Sequence, residues 1–257
     1  MSNASPKAGL SPDAVRFTGE VKLGRIMVGT PMYGGLCHDA YLHGMMSATR
    51  GFSDRGIQLG VITLRNESLI QRARNKIAAA FLASDASHLV FIDADIGFTG
   101  ESLLRLLAHD RPIMAGVYRK KTLDSVDFAM NMIPTDDGRG ECDPKTGAVR
   151  MLHVATGFLA IKREVIQAMY DARPDLHYRL HEGEDGPGAW RDLCHLWFDC
   201  FIDPVTRAYV SEDYGFCMRA AELGFESWMD PGIILEHHGT ACFVADPTSV
   251  FRIAPPV

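Results

Sequence analysis

The six cysteines (Cys37, Cys142, Cys194, Cys200, Cys217 and Cys242) form no CxxC pair, which removes the zinc-ribbon and thioredoxin-type readings. No apolar run approaches the roughly 18 residues that a bilayer span needs. The first 20 residues lack a charged-then-apolar signal pattern. Basic residues are the minority, 26 against 32 acidic, so no basic surface for wrapping nucleic acid is expected. The dinucleotide fingerprint GxGxxG, the phosphate loop GxxxxGKS/T and the hydrolase elbow GxSxG are missing too. There is no internal repeat and no low-complexity tract. The expectation is a cytoplasmic protein with free thiols, no membrane span and no nucleic-acid partner.

What is present is 257 residues, 47% hydrophobic and 23% charged, enough for a sizeable core. Residues 1–20 read as a loose leader and 21–257 as a single domain. An apolar run at 25–29 delivers a Gly/Pro-rich loop from Thr30 to Gly35. A helix over 39–49 and a strand over 57–63 follow. Ser68 and Gln71 have capping-box spacing ahead of a helix with Leu69, Ile70, Ala73, Ile77, Ala80 and Phe81 on one face. Gln71, Arg72, Arg74 and Asn75 take the other face. The buried strand 88–92 runs straight into Asp93-Ala94-Asp95, Thr99 caps a Leu-rich helix, and 112–117 is another strand. Residues 121–153 read as inserted hairpins, 154–161 as apolar, and 163–170 as helix. The polar segment 173–192 reads as a long mobile loop near the site. Ser211 opens a helix with Phe216, Cys217, Ala220 and Leu223 inward, ended by Gly224. Residues 233–235 form a strand. The alternation gives an α/β fold, a mainly parallel, mixed sheet sandwiched by helices, and ligands in such sheets sit at the carboxyl ends of the strands.

Asp93 and Asp95, one residue apart after a buried strand, point to the same side and repel unless a cation lies between them. Mg2+ or Mn2+ with substrate phosphates completing its shell resolves the repulsion, whereas turn chemistry is the alternative reading. Glu212 and Asp213 lie in a first helical turn, where acidic groups are stabilised by the helix dipole or serve as a general base. His237 and His238 offer imidazole after the last strand. His177 and His181 share helical spacing but lack the HExxH pattern.

In their order, Thr30-Pro31-Met32-Tyr33-Gly34, Gln71-Arg72-Ala73-Arg74-Asn75, Phe91-Ile92-Asp93-Ala94-Asp95, Ala115-Gly116-Val117-Tyr118-Arg119-Lys120-Lys121, Val154-Ala155-Thr156-Gly157-Phe158, Ser211-Glu212-Asp213 and Glu236-His237-His238-Gly239 resemble the family 2-like glycosyltransferases of the GT-A fold. The resemblance implies metal-dependent transfer of a sugar from a nucleotide-diphosphate sugar to an acceptor hydroxyl of a carbohydrate, peptide or small molecule. It implies nucleotide recognition by Thr30, Pro31, Met32, Tyr33, Arg74, Asn75, Asp93 and Ala94. Asp95, with Asp93 and His237, would hold Mn2+ or Mg2+. Asp213, with Glu212 next in line, matches the base, Lys120 or Lys121 would compensate charge, and Thr156-Gly157 would floor the acceptor pocket. A nucleotidyltransferase making nucleotide sugars and a non-catalytic carbohydrate-binding protein of the same fold are the rival readings. The first normally presents basic residues in its opening loop, which 30–35 lacks.

Overall fold

The computed structural model describes residues 23–134, 140–180 and 188–249. The leader at 1–20 lies outside them. In chain order the elements are β1 (Ile26–Met32), α1 (Asp39–Ser53), β2 (Leu59–Arg65), α2 (Ile70–Leu82), β3 (His88–Ile92), β4 (Ile96–Gly97), α3 (Gly100–Ala108) and β5 (Ile113–Ala115). There follow β6 (Met130–Met132), β7 (Val149–Val154), β8 (Phe158–Lys162), α4 (Arg163–Ala172), β9 (Phe201–Ile202), β10 (Tyr209–Val210), α5 (Glu212–Glu222), β11 (Ser227–Met229), β12 (Glu236–His238) and β13 (Cys242–Val244).

The main sheet has the order β2-β1-β3-β8-β5-β11-β7-β6. β1 pairs in parallel with β2 and β3, and β5 with β11, whereas β8 and β7 run against their neighbours. The sheet is therefore mixed, with its remaining strands all pointing one way. β3 is buried along its whole length, which is why it reads as an unbroken apolar run rather than an alternation. Its side chains alternate between two cores. Leu89 and Phe91 meet α2, α4 and α5 through residues such as Ile77, Val165 and Phe216. Val90 and Ile92 meet α1 and α3 through Met45, Phe52, Leu103 and Leu106. Helices thus cover both faces. The hairpin insertion is present as β6 and β7, which extend the sheet beyond β11.

Several local expectations are corrected. β1 continues through Thr30, Pro31 and Met32 because β2 supplies a pairing partner for each, so the loop begins only at Tyr33. The Ser68–Gln71 capping box does not form: α2 starts after Leu69 without a side-chain cap. Glu67 instead accepts from Leu69 N, Arg72 and Lys76 and holds that turn. Residues 233–235 are not a strand; Ile233 and Leu235 are buried as single anchors, and pairing begins at Glu236. Leu223 is exposed at the end of α5. Within 173–192, residues 181–187, His181 included, lie outside the described residues. In the described flanks, His177 stacks on Tyr170 at 4.1 Å and bridges to His195, and Trp190 is buried. Among the described residues no helix is long and apolar enough to cross a membrane, and all six cysteines are free thiols.

Candidate functional site

β1 and β3 pair in parallel with Gly29 opposite Phe91, so the end of β1 and Asp93 lie at the same edge of the sheet. The turn at Asp93-Ala94-Asp95 is fixed by its backbone. Asp93 N donates to Gly157 O (3.0 Å), His38 N donates to Ala94 O (2.8 Å), and His238 N donates to Asp95 O (2.8 Å). The residue before β8, the N-cap residue of α1 and strand β12 each hold one residue of the motif.

The two carboxylates have different partners, which is how they coexist. Asp93 receives a two-pronged guanidinium contact from Arg74, at 3.0 and 3.1 Å. Arg74 Nε also lies 3.6 Å from Glu212 Oε1, too long for a hydrogen bond, and this buried nitrogen has no hydrogen-bond partner. Burial alone weakens the charge on Arg74, but Asp93 and then Glu212 outweigh it, and its pKa lies above the ordinary value. Burial raises the pKa of Glu212, with Arg74 opposing and Asp213 reinforcing the shift.

Asp95 meets Lys121 Nζ at 2.5 Å and His237 Nε2 at 3.8 Å. His237 Nδ1 sits 2.9 Å from Arg119 O. A carbonyl only accepts, so Nδ1 carries the proton. Burial lowers the pKa of His237, and with Nδ1 turned to the Arg119 carbonyl its Nε2 is the ring atom that faces Asp95. A carboxylate and an imidazole oriented by a backbone carbonyl form a donor set suited to a divalent cation.

Between the two carboxylate centres lies Tyr118, which the sequence did not single out. Its ring meets His237 edge-on at 4.8 Å and its hydroxyl accepts from Gly157 N at 3.2 Å. A Cβ on residue 157 would lie 2.5 Å from that hydroxyl, so glycine is needed there. Burial, followed by the neighbouring Asp93, holds the phenol well above its ordinary pKa. A tyrosine three residues beyond the buried strand β5 was the available signal. At the start of α5, Ser211 does not cap the helix; its hydroxyl donates to Asp213 Oδ1 instead, and Tyr214 N donates to the same oxygen at 2.9 Å.

The remaining expected residues fall in other places. Tyr33 is exposed and Pro31 and Met32 are half-buried, whereas Thr30 is fully buried with its hydroxyl 2.7 Å from Tyr41. Asn75 is also fully buried. Its amide exchanges two 2.8 Å hydrogen bonds with the backbone of Phe198, pinning the segment ahead of α5 against α2. Lys120 pairs with Asp127 at 2.7 Å, away from Asp95. Thr156 is buried under the turn that presents Gly157.

No family model matches the chain, and no curated protein sequence is significantly similar to it. Among solved structures it is similar to A197 from STIV, at 13% identity and TM-score 0.49, over 87% of this chain and 91% of that one. It is also similar to GalNAc-T7 crystallised with UDP, GalNAc and Mn2+, at 14% identity and TM-score 0.41, over 91% of this chain but 45% of that one. A third is S. aureus TarS 1-349, at 12% identity and TM-score 0.37, over 80% and 57% respectively. The chain thus spans about half the length of the last two, and all three likenesses concern layout rather than sequence.

Proposed function

We propose that this chain is a glycosyltransferase that moves a sugar from a nucleotide-diphosphate sugar to an acceptor hydroxyl with the help of Mn2+ or Mg2+, acting as a single domain. One observation carries the reading: Asp95 and the pre-oriented His237 face each other at the carboxyl edge of a mixed sheet, with Lys121 on the same carboxylate oxygen. The sugar–diphosphate bond breaks with negative charge developing on the leaving phosphate, and positive charge fixed in advance at that place stabilises the transition state. The metal, when bound, supplies that charge as a Lewis acid. Asp95 and His237 would hold it, and Lys121 adds a cation that does not depend on metal. Asp93, gripped by Arg74, has lone pairs left to accept a hydrogen bond from the nucleotide's ribose. Asp213 takes the proton of the acceptor hydroxyl. Glu212, next in line for that role, is turned to Arg74 and positions rather than reacts. Exposed Tyr33, beside half-buried Met32, offers a surface for the base. The six free thiols suit a reducing, cytoplasmic setting.

Calorimetric titration with UDP and GDP, in Mn2+ or in chelator, tests the proposal. One nucleotide should bind strongly only with the cation; equal affinity in both conditions removes the metal from the site.

A further inference from the structure

Strand β12 has two faces. The pleat sends His237, paired with Phe243, toward Asp95, and turns Glu236 and His238 the other way. Cys242 on β13 is the register partner of His238 and shares that second face. His238 Nε2 lies 2.8 Å from Glu236 Oε2 and 4.0 Å from Cys242 Sγ, and the donor atoms of all three residues fall within 4.8 Å of one another.

We propose that Glu236, His238 and Cys242 bind a transition-metal ion of the Zn2+ class, at a second site back to back with Asp95 and His237. A tetrahedral zinc ion with ordinary bond lengths separates a nitrogen from an oxygen ligand by about 3.4 Å and from a sulfur ligand by about 3.6 Å. The observed separations, 2.8 and 4.0 Å, reach those values by side-chain adjustments of well under 1 Å. The donor set itself selects the metal, because thiolate and imidazole favour zinc over magnesium or calcium. The site is also braced. His38 stacks on His238 with ring centroids 3.7 Å apart. Residue 97, opposite Glu236 across β4, is glycine, and a Cβ there would lie 2.8 Å from Glu236 Oε2. On binding, Cys242 gives up its thiol proton to solvent and Sγ becomes a ligand. Three ligands leave the fourth position to water. The ion would clip β12 to β13 at the residue whose N–H holds Asp95 O, so it would stiffen the turn without entering the reaction.

Titration of the metal-depleted full chain with Co2+, followed by Zn2+, tests this. A thiolate–Co2+ charge-transfer band should grow to one equivalent and disappear when Zn2+ displaces the cobalt. Cys242→Ser should lose the band while keeping the native circular dichroism, and Glu236→Gln should weaken Co2+ binding. His237→Ala and Cys37→Ser should both retain the band, which separates this site from the proposed catalytic one and from the other exposed thiol. Absence of the band in the wild-type chain, or its survival in Cys242→Ser, overturns the proposal. No nucleotide enters the experiment, so the outcome is independent of the transferase reading.

Discussion

Lys121 Nζ and His237 Nε2 approach the same oxygen, Oδ2 of Asp95, at 2.5 and 3.8 Å. The lysine is a resident cation where a divalent ion would bind. Both partners of the ion pair are partly exposed, so it is worth about 1 kcal/mol or less and yields readily to a dication. Lys121→Met should therefore tighten Mn2+ binding in the absence of nucleotide by up to about fivefold and slow transfer, because a charge facing the leaving phosphate is gone. Mn2+ titration followed by electron paramagnetic resonance, with initial rates, checks both. Unchanged Mn2+ affinity would show that the two cations do not compete.

Asp213 and Glu212 separate by partner. Asp213→Asn should leave nucleotide binding nearly intact and lower the transfer rate by about two to four orders of magnitude, the usual contribution of a general base. Glu212→Gln removes the second carboxylate near Arg74 and should change donor KM more than Asp213→Asn does. Near-normal turnover by Asp213→Asn would move the base to another residue.

Asn75 joins α2 to the backbone of Phe198 through two buried hydrogen bonds. Asn75→Ala strands a buried N–H and a buried C=O, and should cost about 2–3 kcal/mol of stability. Urea denaturation measures the loss, and a change within 0.5 kcal/mol would mean that the segment relaxes to find water.

Two histidines set an acid limit. Burial lowers the pKa of His88 to about 4, with Lys162 adding to the shift, and burial likewise lowers His195 to about 4. Each takes up its proton near pH 6.5 when unfolded and near pH 4 when folded, so the unfolded chain binds more protons between those values. Stability should be constant above pH 6.5 from these groups and fall as the pH drops toward 4. His88→Gln and His195→Gln should each flatten the slope of the denaturation free energy against pH over that window.

The sequence made the Asp93-Ala94-Asp95 turn legible because a strand buried on both faces is a continuous apolar run, and a polar residue ends it abruptly. Thr99 was equally readable, since a threonine accepting from Ser102 N is a local event. Strand direction was not: apolar spacing is the same in both senses, so the antiparallel placement of β8 emerges only from the packed sheet. Arg74 and Asn75 read as lying on the helix face opposite the apolar stripe, where polar side chains normally face water. They are buried because the 198 segment and Asp93 supply partners that lie far along the chain. The Lys121 contact left no trace in local pattern either, since an exposed lysine after a strand looks the same with or without a carboxylate across from it.

Arg74 touches Asp93 with two nitrogens and faces Glu212 with its third. One rigid, planar group therefore spans the turn after β3 and the first turn of α5. If the proposed reaction holds, a donor that draws Asp93 toward its ribose would shift the guanidinium and change its hold on Glu212, the neighbour of the proposed base Asp213. Donor and acceptor would then be thermodynamically linked, and linkage is reciprocal: whatever factor the donor applied to acceptor affinity, the acceptor would apply to the donor. The expected kinetic form is a preferred order, in which the acceptor would bind more tightly once the donor has arrived.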